Sequence, residues 1–217
     1  MTDRTEGTLS DDAVIWHYTA FASFVSILQS SRLWFSRLDT LRDPFEGRSE
    51  HPYKGEFRRL ADEHTRKGCV SCWTIDADES DLMWYAFVPT FGVAIKSTKA
   101  KLKAAFLAPK RDEIVVGVVE YGTDWSAGEP ESYAFLKRRH FKRERELRAY
   151  IPYRYEYGGS GMIVAPNPEG RAVQVDLRTL IGQVWVAPSS PNWFRSVVKQ
   201  ELARYEYLEI PVERRDE

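Results

Sequence analysis

The stretch Val14 to Gly47, VIWHYTAFASFVSILQSSRLWFSRLDTLRDPFEG, decides how the rest of the chain is read. The apolar run from Ala13 to Trp16 ends in His17 and predicts a strand. Thr19 is placed to cap the helix that follows, where Phe21, Phe24, Val25 and Leu28 recur at helical spacing. Leu33 to Ser36 is short and apolar and reads as a second strand. Asp39 to Gly47 carries Asp43-Pro44 and ends in glycine, an ordered turn that Asp43 and Glu46 are expected to stabilise, Asp43 through an Asx-type bond ahead of Pro44. A strand that delivers a histidine, backed by a helix, builds either a small-molecule site or plain core. Both readings stay open at this point.

The bulk numbers narrow the class. At 217 residues the chain fits one domain, large enough to be stable without disulfides or metals. Aromatic residues reach 13%, including seven tryptophans, which favours a thick aromatic core or a cleft that stacks planar ligands. A net charge of −1 excludes any protein-wide attraction to nucleic acid or membrane. Cys69 and Cys72 form a single C-x-x-C without a second pair, and three residues apart on a strand they point to opposite faces. No metal is therefore expected, and the thiols read as a reduced intracellular pair. The first twelve residues are polar and read as a disordered leader ahead of one domain spanning 13–217. No apolar run approaches a membrane span, so the expected setting is cytoplasmic, with no membrane partner.

Downstream, Tyr53 to Lys67 predicts a surface helix and Cys69 to Ile75 a strand. Glu79, Ser80 and Asp81 signal a helix start ahead of LMWYAF, and Ser97-Thr98 caps the helix KAKLKAAFLA. Strands are expected at Phe91 to Ile95, Glu113 to Tyr121, Glu144 to Pro152, Ala172 to Asp176 and Gln183 to Ala187. Glu131 to Arg143 and Ser190 to Tyr205 read as helices, Gly158 to Gly161 as a Gly-rich hairpin, and Tyr207 to Ile210 as a last short strand. Short connections between strand pairs point to an α+β fold with a mixed, largely antiparallel sheet flanked by helices.

FKRERELRAY, Phe141 to Tyr150, is the most informative pattern for chemistry. In an extended segment Glu144, Glu146, Arg148 and Tyr150 share one face, with the two carboxylates about 7 Å apart. One carboxylate can steady a developing cation while the other activates a nucleophile; the alternative is a solvated face with cross-strand ion pairs. Lys137, Arg138, Arg139, Lys142 and Arg143 crowd one predicted helix, either a solvated face or the lining of a phosphate-bearing ligand or nucleic-acid site. His17 is either a hydrogen-bonded structural residue or a ligand contact. Trp73, Trp84 and Tyr85 are core, or one of them stacks a nicotinamide or a base. Ser36, Ser71 and Ser80 lack a nucleophile-elbow context, and no phosphate-loop or dinucleotide glycine motif is present. A gathering of Asp43, Glu46, Glu144 and Glu146 around Mg²⁺ describes a third possibility, a nuclease.

Taken together, HYT at 17–19, SILQSSRLWFSRLDTLRDPFEG at 26–47, SCWT, ESDLMWYAF, FGVAIKST and the K-x-x-x-F-x-x-E-x-E-x-R run ending at Arg148 resemble a widespread bacterial family of domains of unknown function. More distantly, the strand–His–Thr, helix, short-strand opening is similar to the ADP-ribosyltransferase superfamily. That resemblance implies an enzyme cleaving NAD to modify a nucleic acid or protein, in the manner of a toxin or defence effector. It implies a catalytic set of Glu146 or Glu144 with His17. It also implies a substrate-binding set of Tyr18, Thr19, Ser36, Arg37, Ser71, Trp84 and Arg148, with Arg148 or the basic helix gripping the pyrophosphate. No arginine stands on the first strand and no S-T-S is present, which departs from the superfamily's best-known members. The other function consistent with the residues is a non-catalytic nucleotide- or nucleic-acid-binding module.

Overall fold

The computed structural model describes residues 9–47, 66–88, 90–107, 113–122, 130–153, 156–157, 163–164 and 169–215. The expected hairpin at Gly158 to Gly161, and all but the end of the helix at Tyr53 to Lys67, lie outside them. The fold is α+β. Its main sheet has nine strands in the order β11-β2-β3-β1-β4-β12-β13, with β8 against β3 and β5 against β8. The strands are β1 Val14–Ala20, β2 Arg32–Arg37, β3 Cys69–Ile75, β4 Gly92–Thr98, β5 Val115–Val118, β6 Glu120–Gly122, β7 Leu136–Arg138, β8 Glu146–Ile151, β9 Glu156–Tyr157, β10 Ile163–Val164, β11 Gly170–Gln174, β12 Gln183–Val186 and β13 Val212–Glu213. Pairing is largely antiparallel, and the parallel β12–β13 pair makes the sheet mixed. The helices are α1 Phe21–Ser30, α2 Asp81–Phe87, α3 Lys99–Ala105, α4 Leu177–Leu180 and α5 Asn192–Arg204.

Two compact units divide the chain, one built from Trp34–Cys72 and Asp112–Ala172, the other from Gly7–Leu33, Trp73–Arg111 and Val173–Glu217. In the second unit β1 pairs with β4 along its whole length, Val14 opposite Thr98 through Ala20 opposite Gly92. Ile15 and Trp16 are consecutive and both buried, as befits a strand covered on both faces, and the Trp16 indole donates to Asp76 O at 3.0 Å. Phe24, Ile27 and Leu28 form the buried stripe of α1. Its cap is Ala20, with no side-chain bond, so Thr19 is the penultimate strand residue and not the cap. Thr98 does cap α3, accepting from Lys101 N at 3.2 Å. Leu9 to Asp12, which the composition placed in the leader, are fastened to that same helix start. Lys99 donates to Leu9 O at 3.0 Å and Ala100 N donates to Asp11 O at 2.9 Å. Tyr207 to Ile210 is a turn, and the last strand falls instead at Val212–Glu213, parallel to β12.

The first unit packs Leu38, Val70, Ala134, Phe135 and Tyr150 into an apolar cluster. Two expectations change here. The helix predicted over Glu131 to Arg143 is instead a 3-10 turn at Pro130–Phe135, strand β7, and a second 3-10 turn at Arg139–Glu144. An α-helix would stack Arg138 on Lys142 and Arg139 on Arg143, like charges four residues apart, while buried carboxylates of this unit recruit Lys137 and Arg138. Next, β8 is no solvated face: every residue from Glu146 to Ile151 is buried, because β8 has neighbours on both sides in β5 and β3.

Candidate functional site

The chemistry-bearing residues of the first unit converge on β8. Its two-residue period puts Glu146 and Arg148 on one face. The Arg148 guanidinium, 0% exposed, donates to both Glu146 oxygens (2.9 and 3.1 Å), to Glu46 at 2.8 Å and to the carbonyl of Ala134 at 2.6 Å. Glu46 reaches this point because the Asp43 to Gly47 turn is closed by Asp43 itself, whose carbonyl and carboxylate accept from Glu46 N (3.1 Å) and Phe45 N (3.0 Å). The Asx-type bond expected from the sequence is thus present, but Glu46 points inward rather than stabilising the turn.

Lys137 completes the cluster. Its ammonium lies 2.6 Å from Glu144, 3.1 Å from Glu46 and 3.2 Å from Glu146. Three carboxylates therefore gather almost as the nuclease alternative required, but a lysine side chain occupies the centre. Asp43, the fourth, pairs with Arg138 instead, through donors at 2.8 and 3.1 Å. Among the described residues no group of three or more His, Cys, Asp or Glu is arranged to hold a metal.

Three carboxylates against two cations titrate unequally. Burial alone would raise Glu146, but Arg148 and Lys137 outweigh it and bring the carboxyl down to about 2. Glu144 is raised, burial exceeding the pull of Lys137. Burial opposes the charge of Lys137, yet the surrounding carboxylates raise it above its ordinary value. The Tyr121 hydroxyl accepts from Glu146 N at 2.8 Å, and burial raises its pKa. The Cys72 thiol donates to Glu146 and is pushed well up, by burial first and then by that carboxylate's charge. Cys69, on the other face of β3, lies by Arg37, Asp39 and Arg171, and burial raises it too.

At the surface edge of this cluster Arg138 is clamped. Besides Asp43, its guanidinium lies over the Phe45 ring at 4.5 Å and the Phe141 ring at 5.6 Å. His140 is exposed and packs on Phe141 with ring centroids 4.1 Å apart. Arg139, Lys142 and Arg143 are exposed and have no ion-pair partner among the described residues.

The sequence-derived set is distributed over both units. Glu144, Glu146 and Arg148 come together in the first unit, where Ser36 and Ser71 lie on β2 and β3 and Arg37 is held by Asp39, its Nε 2.9 Å from Oδ1. His17, Tyr18, Thr19 and Trp84 belong to the second unit. There the His17 ring lies 5.1 Å from the Trp73 ring, and the Tyr18 hydroxyl accepts from Ser80 N at 2.8 Å. Trp84 is core: it is buried edge-on to Tyr18 at 5.0 Å and its indole donates to Glu79 at 3.1 Å. An open cavity of about 350 Å³ beside α5, lined by Lys199, Leu202, Tyr207 and Leu208 among others, carries none of these groups. Lys137, Tyr121 and Cys72 were not singled out for this site by the sequence, since nothing in a cationic run distinguishes the residue that turns inward. Comparison with protein-family models, with curated proteins and with solved structures found no match.

Proposed function

We propose that the chain binds a phosphate-bearing ligand, a nucleotide or nucleic acid, on the basic surface of residues 138–145. One observation carries this: Arg139, Lys142 and Arg143 stand exposed without ion-pair partners among the described residues. A protein of net charge −1 has no general need to concentrate such charge, and three uncompensated cations within five positions make a local field for anions. The segment is also held from below by Lys137 among its carboxylates and by Arg138 on Asp43. A surface pre-organised in this way spends less ordering entropy on binding. The test is fluorescence anisotropy with a labelled oligonucleotide across a salt titration. The reading expects affinity to fall with salt, and the slope to flatten when Arg139, Lys142 and Arg143 are replaced together by alanine. Binding indifferent to salt, or no binding at low salt, removes it.

A second reading, transfer of ADP-ribose from NAD, draws its support from the two glutamates. Arg148 and Lys137 occupy both oxygens of Glu146, so Glu146 serves as an ionised anchor. Glu144 is the more open carboxylate, only one of its oxygens being paired among the described residues, and its raised pKa suits proton transfer. On this reading Glu144→Gln lowers nicotinamide release from NAD by roughly 10²–10³. Equal release from wild type and variant ends it.

A further inference from the structure

We infer that the ligand taken by this surface is single-stranded nucleic acid, with an unpaired base stacked on Phe45 and neighbouring phosphates on Arg139, Lys142 and Arg143. The inference rests on the phosphate-binding reading above and narrows it.

Phe45 is 45% exposed, a large ring beside a cationic surface. It is also held in place, since its backbone N–H is bound by Asp43 and the Arg138 guanidinium lies over its ring. A rigid exposed aromatic flanked by cations is the arrangement on which bases of single strands stack, because every base has a π-face to offer once it is unpaired. In a duplex those faces are covered by the neighbouring base pairs. His140, exposed and packed on Phe141, offers a second ring in the same segment.

Two further features favour the single strand over the duplex. Reading a major groove calls for an α-helix or a two-stranded ribbon, and residues 139–144 form a short 3-10 turn instead. Duplex binders that depend on backbone charge commonly neutralise about 6–10 phosphates. Here three cations without an ion-pair partner are presented among the described residues, and the net charge of −1 supplies no broader field.

The experiment measures anisotropy of labelled oligothymidylate, oligouridylate and a DNA duplex of the same length on the intact chain. The expected result is a single strand held at least about tenfold tighter than the duplex, with a log–log salt slope of about −2 for three phosphate contacts. Phe45→Ala weakens single-strand binding by roughly tenfold or more without changing that slope, and Phe45→Trp restores it. Arg143→Ala reduces the slope by about 0.7. The thymidylate and uridylate arms tell which sugar is preferred. A duplex bound as tightly as the single strand, or a Phe45→Ala variant bound like wild type, overturns the inference and leaves the phosphate reading standing. No binding in any arm at low salt removes both.

Discussion

Replacing Arg148 by methionine tests the charged core directly. Methionine keeps much of the arginine's length and apolar volume while removing five donors. Four hydrogen bonds are lost: two to Glu146, one to Glu46 and one to the Ala134 carbonyl. Lys137 stays in contact with both carboxylates but then faces three of them alone. Removing one partner of a buried ion pair costs about 3–5 kcal/mol, since the stranded charge keeps its desolvation penalty. For a chain of 217 residues, where 1 kcal/mol shifts Tm by about 2–4 °C, the drop is roughly 6–20 °C. The assay is thermal and urea denaturation of wild type, Arg148→Met, and Arg148→Met combined with Glu46→Gln and Glu146→Gln. Neutralising the two carboxylates removes the stranded charge, so the triple variant recovers part of the loss. A cost below about 1 kcal/mol in the single variant, or a further loss in the triple, refutes the reasoning that these charges hold each other in place.

Three other outcomes follow from the geometry. Glu146 is ionised more readily in the folded chain than in the unfolded one, its carboxyl lying near 2 against an ordinary 4.5. The stability this contributes, about 3 kcal/mol, is therefore complete above pH 4.5 and lost as the pH falls towards 2. Urea midpoints measured through that window should show the loss in wild type and a flatter profile in Glu146→Gln. Gly68→Ala would place a Cβ 2.3 Å from the Tyr150 ring, a rigid and fully buried group, so a loss of about 1–3 kcal/mol is expected from urea unfolding. Asp176→Ala removes the acceptor of the Arg178 and Thr179 amides (3.0 and 3.4 Å) at the start of α4, and should cost about 1 kcal/mol by the same assay.

Much of the architecture was legible because it depends on local signals. The apolar run into His17 and the FGVAI and VVGV segments read as buried strands, and Phe24 and Leu28, though not Phe21 or Val25, lie in the buried stripe that the 3.6-residue helical period predicts, with Ile27 completing it. The Asp43 turn was legible for the same reason, an Asx bond spanning two residues. The segment Glu131 to Arg143 was not, since its helical pattern competes with like-charge repulsion and with carboxylates remote in sequence. Arg138 meets Asp43 across a sequence separation of 95, and Arg148 meets Glu46 across 102.

The candidate site shows the same division. By itself the sequence determined that an α+β sheet forms, that Glu146 and Arg148 share a face of one strand, and that a dense basic run precedes them, all consequences of spacing along the chain. Only the tertiary structure decided that this face is buried, that Lys137 turns inward among three carboxylates, and that Arg139, Lys142 and Arg143 remain in solvent. The reason is electrostatic: a cation's place depends on which carboxylates are nearby and how much water is excluded, and no short stretch of chain contains either fact.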